Sequence, residues 1–178
     1  MAFTEKTLET EQVFKGRVLD VQRLTVELDS GDSGTREIVY HGGGVCVLAR
    51  TADNKLLFVR QFRKAAEKEL LEIPAGKLEK GEDPEKCGLR ELEEETGYSC
   101  RIFKKLTHFY PTPGYSSEII HIYFADELVK GKQHLDEDEF LSVESYTLAE
   151  AEEMIKNGEI TDGKTIIAIL MGKELVNA

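Results

Sequence analysis

Apolar and polar residues alternate from Val13 to Leu28 ("VFKGRVLDVQRLTVEL"), pause at "DSGDSGT", and alternate again through "REIVYH". A period of two is the signature of strands, and the intervening cluster is rich in turn formers, so the segment predicts a strand, strand, turn, strand unit. Two denser apolar runs follow, "GGVCVLAR" and "KLLFVRQFR", with "TADN" between them. They read as a more buried strand pair joined by a turn. The period changes at "DPEKCGLRELEEETG", the clearest helix in the chain. Asp83 suits its cap, Pro84 its first helical position and Gly97 its C-terminal cap. "CRIFKKLTHFY" and "EIIHIYFADEL" read as strands, "VKGKQHLDEDE" as a polar acidic loop, and "FLSVESY" as another strand. "TLAEAEEMIKNGEI" predicts a helix starting from Thr147, and "DGKTIIAILMGKELV" a second late helix. Mixed strands with one internal and two late helices predict an α+β fold, or an α/β/α sandwich.

Composition narrows the class of function. The chain has 178 residues, 40% hydrophobic and 32% charged, which fits one soluble domain with an extension. Its net charge of −11 argues against unspecific binding to nucleic acid or anionic membrane, since both need basic surface. Phosphates remain accessible to such a protein if local arginines and metal ions supply positive charge. Cys46, Cys87 and Cys100 are odd in number and form no CxxC pair, so they read as reduced thiols of a cytoplasmic protein rather than zinc ligands. "MAFTEKTLETEQ" lacks the apolar region of a signal peptide. No apolar run approaches the roughly 18 residues of a membrane span. "GDSG" at Gly31–Gly34 and "HGGG" at His41–Gly44 look like hydrolase motifs, but the first falls in a hairpin turn and the second has no GxSxG partner. A turn and a close backbone approach explain them.

The chemistry concentrates in "LRELEEETG", where Glu91, Glu93, Glu94 and Glu95 crowd one helix. Glu91, Glu94 and Glu95 lie at i, i+3 and i+4 and share a face, whereas Glu93 points about 100° away. Like-charge pairs of this kind cost about 0.2–0.5 kcal/mol each in solvent. A solvated acidic face is one reading. The other is a divalent cation site: Leu89 and Leu92 supply an apolar side to hold the helix, Arg90 sits among the carboxylates, and clustered oxygens suit Mg²⁺ or Mn²⁺.

Gly76, Glu82, Arg90, Glu91, Leu92, Glu94, Glu95, Gly97 and Tyr98 follow G-x5-E-x7-R-E-U-x-E-E-x-G-U, where U is bulky and apolar. This resembles the Nudix box. Only Tyr98 departs, being aromatic where an aliphatic residue is usual. The resemblance implies a loop–helix–loop motif in an α/β/α sandwich with a mixed sheet. It also implies hydrolysis of a nucleoside diphosphate linked to a second moiety. Pro113 stands 16 residues beyond Gly97, inside "FYPTPGYSSE". Together with "QFRKAAEKELLEIPAGKLEKGE", "TREIVYHGGGVCVLA" and "LDEDEF", it is similar to the ADP-ribose pyrophosphatase branch of Nudix hydrolases.

That resemblance carries specific expectations. Glu91, Glu95 and the backbone carbonyl of Ala75 are expected to ligate Mg²⁺, or Mn²⁺ in its place, with Glu94 ligating directly or through water. Arg90 is expected to orient the carboxylates, and Glu82 to complete the outer shell on the substrate side. Arg36 and Arg63 match positions that hold the substrate's phosphates and terminal ribose, and Glu37, Leu78 and Glu118 fall on the substrate side as well. The alternative readings are an exposed charge pair for Arg36 and Glu37, the end of an apolar strand for Arg63, and a solvated strand residue for Glu118. The general base is expected in the late acidic loop, at Glu137 or else Glu139, with Glu94 as the box alternative. Residues 1–42 are expected to form a strand extension that joins two subunits in a homodimer, and residues 43–178 the hydrolase domain. Phe14 and Tyr40, in that extension, read as packing residues rather than stacking ones. The implied activity is Mg²⁺-dependent conversion of ADP-ribose to AMP and ribose 5-phosphate. The alternatives are a broader nucleoside diphosphate sugar hydrolase, a nucleotide-sensing module without turnover, and an oxidised-nucleotide triphosphatase.

Overall fold

In the computed structural model, which describes residues 3–135 and 139–177, all three helices start on capping side chains. Helix α1 (Pro84–Thr96) begins at Asp83, whose carboxylate accepts from the N–H groups of Glu85 and Lys86, and ends at Gly97 with φ 74°. That left-handed conformation favours glycine. Helix α2 (Leu148–Lys156) starts on a capping box of Thr147 and Glu150. Helix α3 (Gly163–Val176) starts on Asp162, which accepts from the Thr165 N–H.

The chain divides into two compact units. Residues 3–43 and 110–119 form the first. Strands β1 (Lys6–Lys15), β2 (Asp20–Glu27) and β3 (Ser33–Tyr40) make an antiparallel sheet in that order. Strand β1 starts seven residues before the alternation at Val13, because "KTLETEQ" has no apolar face to announce it and all ten residues of the strand are exposed. Phe14 and Tyr40 are 56% and 40% exposed, so the expectation that they pack in a core is corrected. Segment 110–119 joins this unit through its backbone: the Val39 N–H donates to Tyr115 O at 2.7 Å, and the Ser117 N–H to Val39 O at 3.0 Å.

The second unit holds the large core. Strands β4 (Gly44–Ala49), β7 (Ala75–Lys77), β8 (Tyr98–Phe109) and β9 (Ile120–Lys130) form a mixed sheet in the order β7-β4-β9-β8, with β4 and β9 parallel. Strands β5 (Lys55–Arg63), β6 (Lys68–Glu72) and β10 (Leu141–Thr147) form an antiparallel sheet ordered β10-β5-β6. Every residue of β4 is buried, as a strand covered on both faces should be. Val47 and Ala49 pack with Leu92 of α1, whereas Cys46 and Leu48 pack with Ala168 and Ile169 of α3. Helices therefore cover both faces of the mixed sheet, as the sandwich expectation requires.

Two local features differ from the pattern reading. The runs forming β4 and β5 share only the bridge Arg50↔Leu56 and then diverge into different sheets. The stretch "EKELLEIPAGK" contains two short strands that periodicity did not announce. Pro74 separates them, and its carbonyl accepts from the Val47 N–H at 2.9 Å, so the chain crosses from one sheet to the other there. Cys46, Cys87 and Cys100 are free thiols. Burial pushes those of Cys46 and Cys87 up to about 12, which leaves them neutral. Among the described residues, no helix is long and apolar enough to cross a membrane.

Candidate active site

The box carboxylates collect where α1 lies against β7, in the second unit. Glu95 is 2% exposed and Glu91 8%, while Glu93, on the far side of the helix, is exposed. Leu92 fixes this orientation by packing with Val47, Ala49, Leu57 and Ala125. Gly76 makes the approach possible. A Cβ there would stand 1.8 Å from the carboxylate carbon of Glu91, so any larger residue would expel that side chain. Glu95 accepts the Ala75 N–H at 2.8 Å, tying the last turn of the helix to the first residue of β7.

Arg90 organises the exposed edge. Its Nη1 donates to Glu91 at 2.9 Å and to Glu94 at 2.8 Å. Its Nε and Nη2 donate to the two oxygens of Glu82, both at 3.1 Å. One guanidinium thus spans three carboxylates, and the hydrogen bonds it donates to Glu82 above all hold it in its charged form. In turn, Arg90 holds Glu82 below the ordinary carboxylate range. Glu82 is therefore an anchor for Arg90, and its oxygens are engaged within the protein.

Deeper in, negative charge is poorly compensated. Burial raises the Glu91 carboxyl, with Glu94 and Glu139 adding to the effect against the opposing pull of Arg90. Burial raises Glu95 to about 8, again reinforced by Glu91 and Glu139. This all-oxygen set, with a neutral Cys87 beside it, fits a hard divalent cation rather than zinc. Glu91, Glu94, Glu95 and the nearby backbone of Ala75 are the residues that would hold it. Among the described residues, no three acidic or imidazole side chains already converge as a closed cage. Arg90 holds Glu91 and Glu94 together on the edge, while Glu95 is turned to Ala75.

Of the two loop candidates for the base, Glu139 adds its charge to the rise of both Glu91 and Glu95. Glu137 lies outside the described residues. Leu78 is half-buried and packs against the cluster of Val45, Cys87 and Tyr123. Arg36, Glu37 and Glu118 stand in the first unit. There Arg36 pairs with Glu5, Glu37 with Arg23 at 3.4 Å, and Glu118 lies 3.4 Å from Nδ1 of His41.

Arg63 ends β5, and its Nε and Nη2 each donate to an oxygen of Glu72 at 2.7 Å. Glu72 is 1% exposed and also receives Lys164 Nζ, which lies 3.1 Å from Asp162. Burial pushes the Glu72 carboxyl up, but Arg63 and Lys164 outweigh it and keep it below its ordinary value. Sequence reasoning missed Glu72, Asp162 and Lys164. The available signal was the acid within "ELLEIPAG", a charge among apolar residues that has to find a partner.

Comparison with known proteins agrees with this geometry. Residues 40–168 match the NUDIX domain. The chain is 49% identical over 178 residues to an ADP-ribose pyrophosphatase of Bacillus subtilis (strain 168), covering 98% of this chain and 96% of that one. It is 52% identical over 169 residues to a methanol dehydrogenase activator of Bacillus methanolicus, covering 94% and 91%. A crystal structure of an ADP compounds hydrolase superposes with a TM-score of 0.87 at 21% identity, covering 99% of this chain and 97% of that one, which establishes the shared fold. The chain belongs to the Nudix family.

Proposed function

We propose that this protein hydrolyses the diphosphate of ADP-ribose to AMP and ribose 5-phosphate, using Mg²⁺. The observation that carries the reading is the intact box geometry, with Glu91 and Glu95 buried around Gly76 and Arg90 spanning Glu82, Glu91 and Glu94. The 49% identical ADP-ribose pyrophosphatase supports the substrate. When bound, the metal supplies positive charge to the diphosphate and to an attacking water.

The chain's own residues divide the remaining work. Arg90 keeps Glu91 and Glu94 on the substrate-facing edge, and Glu82 keeps Arg90 there. Glu137 takes the proton of the attacking water. Glu139 is the second candidate for this role, and its charge bears on Glu91 and Glu95. Arg63, Arg36, Glu37 and Glu118 contact the substrate, and Leu78 backs the box from the core side. Residues 1–42 join two copies in a homodimer, a reading supported by the exposed Leu8, Val13 and Phe14 on β1. Sedimentation as a monomer at micromolar concentration would remove it. The protein works in the cytoplasm, in keeping with its free thiols.

The test is incubation of purified protein with ADP-ribose and Mg²⁺, followed by separation of products. Equal amounts of AMP and ribose 5-phosphate, abolished by EDTA, support the reading. Adenosine or inorganic phosphate as the primary product would refute it. The 52% identical methanol dehydrogenase activator favours a second reading, in which this chain raises the activity of a dehydrogenase. Adding the protein to a methanol dehydrogenase assay tests that reading, and an unchanged rate would discard it.

A further inference from the structure

Arg63 belongs to a second charged cluster, whose other members, Glu72, Lys164 and Asp162, have no part in the chemistry described so far. Glu72, at the end of β6, is buried with both oxygens on the guanidinium of Arg63. Lys164, in the first turn of α3, donates to the same Glu72 oxygen that receives Arg63 Nη2. Asp162 closes the network. It pairs with Lys164 and accepts from both the N–H and the hydroxyl of Thr165. The Thr165 hydroxyl oxygen in turn accepts the Ile73 N–H at 2.9 Å. The end of β6, at Glu72 and the following Ile73, and the start of α3 are thereby locked together across the core, just ahead of Ala75.

Such an arrangement is an expensive way to fasten a strand to a helix, since buried ion pairs are weak sources of stability. It does, however, fix the direction of Arg63. With Nε and one edge of Nη2 committed to Glu72, the donors that remain are those of Nη1 and the second hydrogen of Nη2. Nη1 makes no hydrogen bond among the described residues, and the Arg63 side chain is 41% exposed. Glu72, which holds Arg63, lies three residues before Ala75, whose N–H is bound by Glu95, so the cluster adjoins the box through the β6–β7 connection, and the Arg63 charge pulls against the rise of the Glu95 carboxyl.

We infer that Glu72 and Lys164 are positioning residues that aim the open edge of Arg63 at the substrate's diphosphate. This rests on the proposed diphosphate substrate, though not on ADP-ribose in particular. Lys164 holds Glu72, and Glu72 holds Arg63, so neither has to touch the ligand. Aim and charge are separable here. If Arg63 acted only through its charge, removing the negative charge of Glu72 would tighten anion binding. If aim matters, Glu72→Gln weakens binding, because an amide presents one acceptor where the guanidinium needs two.

The experiment measures the Kd of inorganic pyrophosphate with Mg²⁺ by calorimetry, together with KM and kcat for ADP-ribose. The proteins are wild type, Glu72→Gln, Lys164→Met and Lys164→Arg, each first shown folded by circular dichroism. Glu72→Gln and Lys164→Met are predicted to raise the pyrophosphate Kd and KM by about tenfold while kcat changes by less than about threefold. Lys164→Arg is predicted to restore both constants to within about twofold of wild type. Tighter or unchanged pyrophosphate binding in Glu72→Gln overturns the inference. So does a lowered melting temperature in Lys164→Met with Kd and KM unmoved. Should Lys164→Met not fold, Glu72→Gln alone decides by the sign of its effect. Wild-type protein that binds pyrophosphate but leaves ADP-ribose intact would refute the substrate reading and leave this inference to be judged on Kd.

Discussion

Glu95→Gln separates what the active site needs from what the fold would prefer. Glu95 is 2% exposed, and the charges of two further carboxylates, Glu91 and Glu139, bear on it against that of Arg63. Burial first, then those two carboxylates, raise its carboxyl from 4.5 to about 8. The folded, metal-free protein therefore binds this proton more tightly than the unfolded chain does. That contribution to stability is complete below the unfolded value and is lost progressively as pH rises towards the folded one. Each unit is worth about 1.36 kcal/mol, so a rise of about 3.5 units sets a ceiling of ~5 kcal/mol, and local relaxation reduces this to about 2–4 kcal/mol. Glutamine keeps an oxygen to accept the Ala75 N–H but carries no charge. In EDTA at about pH 8, Glu95→Gln should melt about 5–10 °C above wild type, and at about pH 5 the two should nearly coincide. Adding Mg²⁺ should raise the wild-type melting temperature and leave the variant unmoved, while turnover falls by at least about a hundredfold. Differential scanning calorimetry over that pH range, with and without metal, is the assay. A variant less stable than wild type in EDTA at about pH 8, or equally stabilised by Mg²⁺, would refute the reasoning.

Glu137→Gln should lower kcat by about 10²–10⁴-fold with KM little changed, and near-normal kcat in both Glu137→Gln and Glu139→Gln would move the base to a box residue such as Glu94. Gly76→Ala should lower kcat/KM by about a hundredfold or more, because its Cβ would occupy the place of the Glu91 carboxylate; wild-type kinetics would show that Glu91 can leave this position without loss. Asp126 is held below its ordinary value by hydrogen bonds from Arg50, which also donates to the carbonyls of Leu175 and Val176 at the end of α3. Asp126→Asn should cost about 1–2 kcal/mol by urea unfolding above about pH 5, with the difference vanishing as pH falls through the depressed Asp126 value.

The parts legible in the sequence were those set by local chemistry. Asp83, Pro84 and Gly97 bound α1 because capping is decided within a few residues, and Thr147 marked α2 for the same reason. The acidic side of α1 that turns toward β7 could be read because a helix converts spacing into direction, placing Glu93 away from Glu91, Glu94 and Glu95. What stayed hidden depended on partners distant in the chain. Strand β1 has no buried face, so no alternation marks its first half. The short strands around Pro74 are defined by which sheet each joins, a tertiary fact. Glu72 and Lys164 meet across 92 residues, and neither spacing nor periodicity connects them. Glu82 read as part of the outer shell, yet its oxygens both serve Arg90, a pairing that only the approach of the Gly76–Asp83 loop to α1 reveals.

The central claim is that this site cleaves a nucleoside diphosphate linked to a sugar, with ADP-ribose preferred. The most direct test is the ratio of kcat/KM values for ADP-ribose, ADP-glucose, GDP-mannose, NADH and 8-oxo-dGTP, measured side by side on the purified protein with Mg²⁺. ADP-ribose should have the highest value, and EDTA should abolish turnover of every compound. A competitor with kcat/KM at least about tenfold higher, equivalent to ~1.4 kcal/mol of transition-state preference, would contradict the assignment.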